Sequence, residues 1–162
     1  MAVDAFLKID GIDGESSDKA HEKWIEIDGF SWSANQPVSS ASGTGARTAE
    51  RVTISDVSIT KIIDSSSPHL MLSCCNGKHF PNVKLEICEA SENKHRYLLV
   101  EMEDVILASY TPSGFKGGDK VGESVGLNFG KIKWEYTPLG QDGKPGTKVG
   151  PMGWNVEKNE KI

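Results

Sequence analysis

The sequence predicts an all-β protein, a small β-barrel of two packed antiparallel sheets with one flanking α-helix at about residues 67–76. Three observations favour this fold class. Apolar and polar residues alternate with a period of two along most of the chain, which is typical of strands with one buried face. Four strands change the parity of their apolar residues near the middle, as strands do when they bend from one sheet into another. One segment alone carries helix signals at both of its ends.

The parity change is clearest in the segment 21–33, HEKWIEIDGFSWS. Its apolar residues move from odd to even positions after Gly29, a residue type that permits a bulge or a bend. Ser31 and Ser33 alternate with the two aromatic residues beyond the bend, so we expect both serines to point away from the packed side.

The other predicted strands, in chain order, cover residues 3–9, 52–63, 83–87, 97–109, 125–136 and 153–156. The change of parity recurs at Ser55–Asp56, between Met102 and Val105, and after Gly130. A partner subunit that buries the outer face would produce the same pattern, and the two interpretations are compatible.

The helix prediction rests on its end signals. Ser67 suits the N-cap, Pro68 suits the first helical position, and Asn76–Gly77 suits the C-terminal cap. An apolar stripe between these ends predicts one buried face. That face consists of Leu70, Met71, Cys74 and Cys75.

Composition fits one domain over residues 1–162, because 37% of the residues are hydrophobic and 25% are charged. Residues 36–47, QPVSSASGTGAR, hold almost nothing that could fill a core and predict a flexible, extended hairpin loop. The charged tail 157–162 is expected to fray.

Charge and hydropathy argue against two classes of partner. The net charge of −5 gives no general attraction to phosphate, so we expect no nucleic-acid partner. No apolar run approaches the roughly 20 residues that cross a bilayer, so we expect no membrane insertion. The N-terminal segment lacks the basic and apolar regions of a signal peptide, which predicts folding in the cytoplasm and export, if any, in the folded state.

Nothing in the sequence indicates catalysis. No serine lies in a G-x-S-x-G pattern, and Gly43–Thr44–Gly45 is not followed by the Gly-Lys-Ser/Thr of a phosphate-binding loop. Cys75 and His79 are four residues apart, but the predicted helix should end between them, so their spacing does not indicate zinc. We expect no enzyme, no cofactor and no metal site.

Three cysteines, Cys74, Cys75 and Cys88, argue by their odd number against a disulfide framework. Buried reduced thiols are the simpler interpretation. The alternative is that one exposed thiol links subunits under oxidation.

Longer blocks carry a family resemblance that covers essentially the whole chain. They are MAVDAFLKI at the N-terminus, the pattern GES-x-D-x-x-H-x-x-x-I-x-I over residues 14–27, D-x-S-S-P-x-L over residues 64–70, VGLNFGKIKWEY and GWNV. In this order they resemble the Hcp family, the hemolysin-coregulated proteins that form the tube of the bacterial type VI secretion system.

The resemblance implies a structural protein. It implies a tight β-barrel with a flanking helix that assembles into homohexameric rings, stacked head to tail inside a contractile sheath and capped by a trimeric spike protein. Sheath contraction would expel the tube, with small effector proteins in its lumen, into the medium or a target cell without a signal peptide. The alternative is an effector-binding chaperone or adaptor with the same fold that builds no tube.

On this interpretation, Ser31 and Ser33 would face the lumen and its cargo. The extended loop would reach the next ring. Its candidate contact residues are Ser39, Ser40, Ser42, Gly43, Thr44, Gly45 and Arg47.

Overall fold

The computed structural model describes residues 2–40, 45 and 47–162, and within them it has thirteen β-strands and one α-helix. The strands are β1 (Val3–Ile9), β2 (Ile25–Ile27), β3 (Gly29–Ser31), β4 (Ala34–Asn35), β5 (Val38–Ser40), β6 (Arg47–Ala49), β7 (Thr53–Ile54), β8 (Val57–Ile62), β9 (His79–Glu89), β10 (Arg96–Ser113), β11 (Gly122–Tyr136), β12 (Val149–Asn155) and β13 (Glu160–Lys161). The helix α1 is Ser67–Asn76, and every strand pair is antiparallel. The predicted fold class and the position of the helix are therefore confirmed.

Most strands belong to one curved sheet with the order β13-β12-β11-β10-β9-β1-β2, to which β8 is added on β11 and β3 on β8. Within the described residues this path of paired strands stays open, so hydrogen bonding does not close the predicted barrel. Its two branches meet where β2 runs into β3. Only Asp28 separates these strands, and its N–H donates to the carbonyl of Thr60 at 2.8 Å.

The bend predicted at Gly29 is confirmed by a change of partner strand. β2 pairs with β1, whereas β3 pairs with β8. A Cβ atom at Gly29 would lie 2.7 Å from Oγ1 of Thr60, so glycine allows the two strands to approach at this point. The break predicted at Ser55–Asp56 is also present, because β7 pairs with β4 and β8 pairs with β11 and β3.

The other parity changes occur at neighbouring positions of three adjacent strands, β9, β10 and β11. Asp104 in β10 has a φ of 51°, in the left-handed region, and lies next to Gly130 of β11 and Pro81 of β9 in the register. On either side of this line the buried face changes parity. The buried residues before and after it are Phe80 and Val83 in β9, Met102 and Val105 in β10, and Phe129 and Ile132 in β11.

Two details of the predicted helix are wrong. The N-cap is Ser66, without a side-chain capping bond, and Ser67 is the first helical residue. The Ser67 hydroxyl instead accepts from the backbone N–H of Asp64 at 3.0 Å. The buried positions of α1 are Ser67, Leu70 and Ser73, while Met71 and Cys75 are exposed. The helix packs on the sheet chiefly along β10, which buries a narrower stripe than the sequence pattern suggested. The C-cap at Gly77, with a φ of 62°, is confirmed.

The segment predicted as a flexible loop carries a paired stem. β5 and β6 face each other from Val38–Ala49 to Ser40–Arg47, and the side-chain oxygens of Ser39 and Thr48 lie 2.6 Å apart. The tail also pairs, since β13 runs beside Trp154 and Asn155 of β12.

The core lies between the curved sheet and α1. Fully buried apolar side chains come from β1, β2, β8, β9, β10, β11 and α1, and each stabilises the fold by roughly 1.5–3 kcal/mol relative to an exposed side chain. They include Leu7, Ile25, Ile59, Leu70, Leu85, Val100, Met102, Val125 and Leu127. All three cysteines are free: Cys88 is buried, Cys74 is half-buried and Cys75 is exposed.

Across the described ranges, no helix combines the length and the apolar character needed to span a membrane.

Candidate functional site

A face of small, mostly polar residues covers four neighbouring strands on the side opposite the core. The strands are β3, β8, the first half of β11 and the second half of β10. One cross-strand row is Ser31, Ser58, Gly126 and Ser109, and the next is Gly29, Thr60, Ser124 and Thr111. We call these eight residues the polar face.

Alternation along each strand creates the polar face. Val57 and Ile59 of β8, and Val125 and Leu127 of β11, have no exposed surface, so the residues between them point outward. The short segments VSIT and SVGL thus carry apolar side chains inside and small ones outside.

The residues of the polar face are small and uncharged. A Cβ atom at Gly126 would lie 2.5 Å from Oγ of Ser109, so glycine leaves the space that the serine fills. None of the eight residues carries a charge, and the hydroxyl groups among them can form only ordinary hydrogen bonds. Such a surface can contact a protein without holding it through charge or a deep apolar pocket.

Ser31 and Ser33 are both exposed, as their alternation predicts. Ser31 lies in the polar face, whereas Ser33 lies beyond it, where its N–H donates to Oγ of Ser55 at 2.8 Å. The rings of Phe30 and Trp32 stack at 6.0 Å and pack against the core. That the two serines face a lumen stays a prediction.

Sequence reasoning identified Gly29 only as a bend and missed six further members of the polar face. The signal was present, because Ser and Thr alternate with Val, Ile and Leu in both β8 and β11. What the sequence does not give is the register that brings these strands beside β3. The missed residues are Ser58, Thr60, Ser109, Thr111, Ser124 and Gly126.

The predicted contact residues of the extended loop fall in and around the β5–β6 stem. Ser39 and Arg47 are exposed on the stem, Ser40 pairs with Arg47, and Gly45 has a φ of 70°. The remaining three, Ser42, Gly43 and Thr44, lie outside the described residues. A contact with a neighbouring ring stays a prediction.

A second exposed surface lies at the end of β11 and along β12. Trp134 is opposite Met152 and Tyr136 is opposite Val149, and these four side chains are 38% to 53% exposed. We call these four residues the apolar end. A contiguous apolar patch of this kind commonly marks a contact with another protein.

The residues of the GES-x-D-x-x-H pattern build a loop that covers the outer face of β1 and β9. The N–H of Gly14 donates to the carbonyl of Lys23 at 2.7 Å, and a Cβ atom at Gly14 would lie 2.4 Å from the carbonyl oxygen of Trp24. Side chains beyond Gly14 then hold the loop. Ser16 is buried, and Asp18 reaches His21.

His21 is buried at 3% exposure and has a carboxylate at each ring nitrogen. Asp18 Oδ2 is 2.6 Å from Nδ1, and Glu86 Oε2 is 2.6 Å from Nε2. His21, Glu86 and Cys88 form a group whose candidate ligand atoms lie within 4.8 Å of one another. Both ring nitrogens face carboxylate oxygens at hydrogen-bond distance, so neither is open to a metal ion in this arrangement.

The D-x-S-S-P segment builds a buried ionic cluster at the start of α1. Lys61 Nζ lies 2.9 Å from Glu123 Oε2, 3.0 Å from Asp64 Oδ1 and 3.3 Å from Ser67 Oγ. The side chains of Lys61 and Glu123 have no exposed surface. The hydroxyl of Tyr110 donates to the other oxygen of Glu123. We call these five residues the Lys61 cluster.

The pKa values of Glu123 and Tyr110 in the Lys61 cluster are shifted by burial and by these contacts. Burial opposes ionisation of Glu123, but the hydrogen bonds from Lys61, Ser67 and Tyr110 outweigh it, so the pKa of Glu123 is lowered. Burial, reinforced by the bond to Glu123, raises the pKa of Tyr110 to about 12. The carboxylate of Glu15 accepts from the N–H of Ser65 at 3.0 Å and connects the loop 13–24 to this cluster.

Comparison with known proteins gives concordant matches. Residues 6–136 match the family model described as type VI secretion system effector, Hcp. The chain is 39% identical over 162 residues to Protein hcp1 of Pseudomonas aeruginosa, and the match covers 98% of each chain. A solved structure of a type six secretion system protein superposes with a TM-score of 0.94 at 36% identity, covering 99% of this chain and 100% of the other. Hcp1 from Salmonella typhimurium gives a TM-score of 0.81 at 35% identity and covers both chains completely.

Proposed function

This chain belongs to the Hcp family of the type VI secretion system, and from that premise we propose that it is the subunit of the inner tube. In this proposal the chain forms six-membered rings that stack head to tail. Contraction of the surrounding sheath expels the tube, capped by the trimeric spike protein. The protein acts in the cytoplasm before expulsion and outside the cell afterwards. It performs no catalysis.

The polar face is the observation that carries the proposal. A channel wall along which cargo travels must contact many different surfaces without retaining any of them firmly. Four strands of small, mostly hydroxyl-bearing or glycine positions meet this requirement, because they offer weak hydrogen bonds and no charge. We propose that this face, with Ser31 at its edge and Ser33 beyond it, lines the lumen and contacts small effector proteins.

Self-assembly is supported by the apolar end. Trp134, Tyr136, Val149 and Met152 lie together on the surface of one subunit, and contact with another subunit would remove them from water. A closed ring requires that one surface of each copy fit a different surface of its neighbour. The apolar end is suited to be one member of such a pair.

Stacking is assigned to the β5–β6 stem and the loop that it carries. Residues 38, 39 and 47–49 of the stem are exposed, and Val38 presents a half-exposed apolar side chain near its base. An arm of this kind can reach beyond the body of its own subunit, and we propose that it contacts the next ring.

The experiment that tests the proposal is size-exclusion chromatography of the full chain followed by negative-stain electron microscopy. We expect six-fold rings with an open centre, and short tubes at high protein concentration. A monomer that still retains effector proteins would favour the alternative, a chaperone or adaptor with this fold. A monomer without cargo would contradict both functions.

A further inference from the structure

His21 has a carboxylate within hydrogen-bond distance of each ring nitrogen, a geometry that suits a doubly protonated ring. Both ring nitrogens lie 2.6 Å from carboxylate oxygens, one of Asp18 and one of Glu86. An ionised carboxylate only accepts hydrogen bonds, so both nitrogens must donate, and a ring that donates twice is an imidazolium. We propose that residues 13–24 form a proton-held latch, which stays closed over β1 and β9 while His21 is protonated and opens when that proton is lost.

Two cations lie behind the two carboxylates that contact the ring. Asp18 and Glu86 contact His21 directly, Lys94 lies 3.6 Å from Asp18, and Arg96 lies 3.0 Å from Glu86. The uncharged neighbours are Phe6, stacked on the ring at 4.1 Å, the edge of Trp24 at 4.8 Å, and the thiol of Cys88. The outer charges are Asp4 on Lys94, Glu135 near Arg96 and Lys8 over Trp24.

The other groups that face His21 keep their charge between neutral and moderately alkaline pH. The hydrogen bond from His21 lowers the pKa of Asp18, so this carboxyl is ionised throughout. The hydrogen bond to Asp4 raises the pKa of Lys94. Burial raises the pKa of Cys88 to about 11, which keeps it a neutral thiol. The proposed latch therefore depends on the protons of His21 and not on those of its neighbours.

Opening has a local structural consequence. A neutral ring can donate to one carboxylate only, and the other then faces a nitrogen lone pair at 2.6 Å. The repulsion releases the loop, and with it the bond from Ser65 to Glu15 that connects the loop to the start of α1. The latch belongs to the fold of one subunit, so this inference holds or fails independently of ring formation.

Limited proteolysis of the full chain tests the latch. Lys19 and Lys23 are exposed trypsin sites in the loop, and exposed Lys116 in the β10–β11 connection serves as an internal reference. Cleavage at each site is measured by mass spectrometry at about pH 7 and about pH 9. We expect the ratio of loop to reference cleavage to rise about tenfold at the higher pH, because the loop opens locally.

Three variants separate the latch from a general effect of pH. His21→Gln should give a high ratio at both pH values. Glu86→Gln should give a low ratio at both pH values, because a neutral ring can then donate to Asp18 and accept from the new amide. His79→Gln is the matched control: His79 also contacts a carboxylate, Asp104 at 2.8 Å, but its side chain is 64% exposed. The control should behave as the unmodified chain does.

Nitrogen-15 NMR of His21 supplies a readout that needs no variant. Two protonated ring nitrogens at about pH 6.5 are expected. A neutral tautomer at that pH would overturn the proposal. So would a ratio that stays constant with pH in the unmodified chain, or protection of the loop by added Zn²⁺ that a chelator reverses, since the latter would assign these residues to a metal.

Discussion

Replacing Lys61 by methionine should destabilise the fold strongly, because it leaves a buried carboxylate without its counter-charge. Lys61 and Glu123 have no exposed side-chain surface, and their charged atoms lie 2.9 Å apart. Removing one partner of a buried ion pair typically costs about 3–5 kcal/mol in the free energy of unfolding. For a chain of this length, that loss lowers the melting temperature by about 6 to 20 °C.

A second replacement, Glu123→Gln, tests whether the unpaired carboxylate causes the loss of stability. In the Lys61→Met background it should recover a large part of the lost stability, because a neutral amide needs no counter-charge and can still accept from the hydroxyl of Tyr110. Urea unfolding at neutral pH and fixed protein concentration measures all variants. Lys131→Met is the control: its ion pair with Glu103 spans 3.7 Å on the surface, and its loss should cost less than about 1 kcal/mol. If Lys61→Met unfolds at the same urea concentration as the control, the assigned role of the cluster is wrong.

Three further outcomes follow from the structure. Ser31→Phe places a bulky ring on the polar face, so effector retention in pull-down assays should fall about tenfold while rings persist in electron micrographs; unchanged retention would count against a lumen position. Val38→Glu adds a charge to the β5–β6 stem and should leave single rings that no longer stack; tubes of normal length would contradict the stacking role. Because the pKa of Asp18 is lowered in the folded state, its stabilising effect is present above about pH 4 and lost as pH falls through the folded value. Asp18→Asn should therefore flatten the acid limb of a plot of unfolding free energy against pH, and an unchanged limb would refute this.

The strand positions were predictable because burial imposes a period of two on the sequence. Even the bends were visible, since a strand that exposes its other face must shift its apolar residues by one position. Gly29 and Gly130 mark two such shifts, and both lie at the bends that the structure shows. The partner of each strand was not predictable. Pairing of β3 with β8, and of β8 with β11, joins segments far apart in the chain, and local alternation does not encode that choice.

The full set of residues in the polar face was not predictable for the same reason, because it depends on which strands pair. Ser31 could be singled out because it sits between two aromatic residues, whereas Ser58 and Ser124 look like ordinary outward positions of separate strands. They belong to one surface only because the strand register places Ser58 beside Ser31 and Ser124 beside Thr60. Helix details failed for a related reason. Met71 and Cys75 have the right spacing to be buried, but α1 packs chiefly along β10 and leaves both of them exposed.

The two patterns that carried the family resemblance have a physical explanation that involves no reaction. Their polar residues hold buried ionisable side chains: Asp18 contacts His21 under the loop 13–24, and Asp64 and Ser67 contact Lys61 beneath the start of α1. Each charge is held by partners from distant strands, Glu86 of β9 in one case and Glu123 of β11 in the other. A single replacement at such a position leaves a charge buried and unpaired, whereas an apolar core residue can exchange for a similar one at lower cost. The bond between Glu15 and Ser65 joins the two groups, so a change of charge at His21 is expected to reach the helix that flanks the sheet.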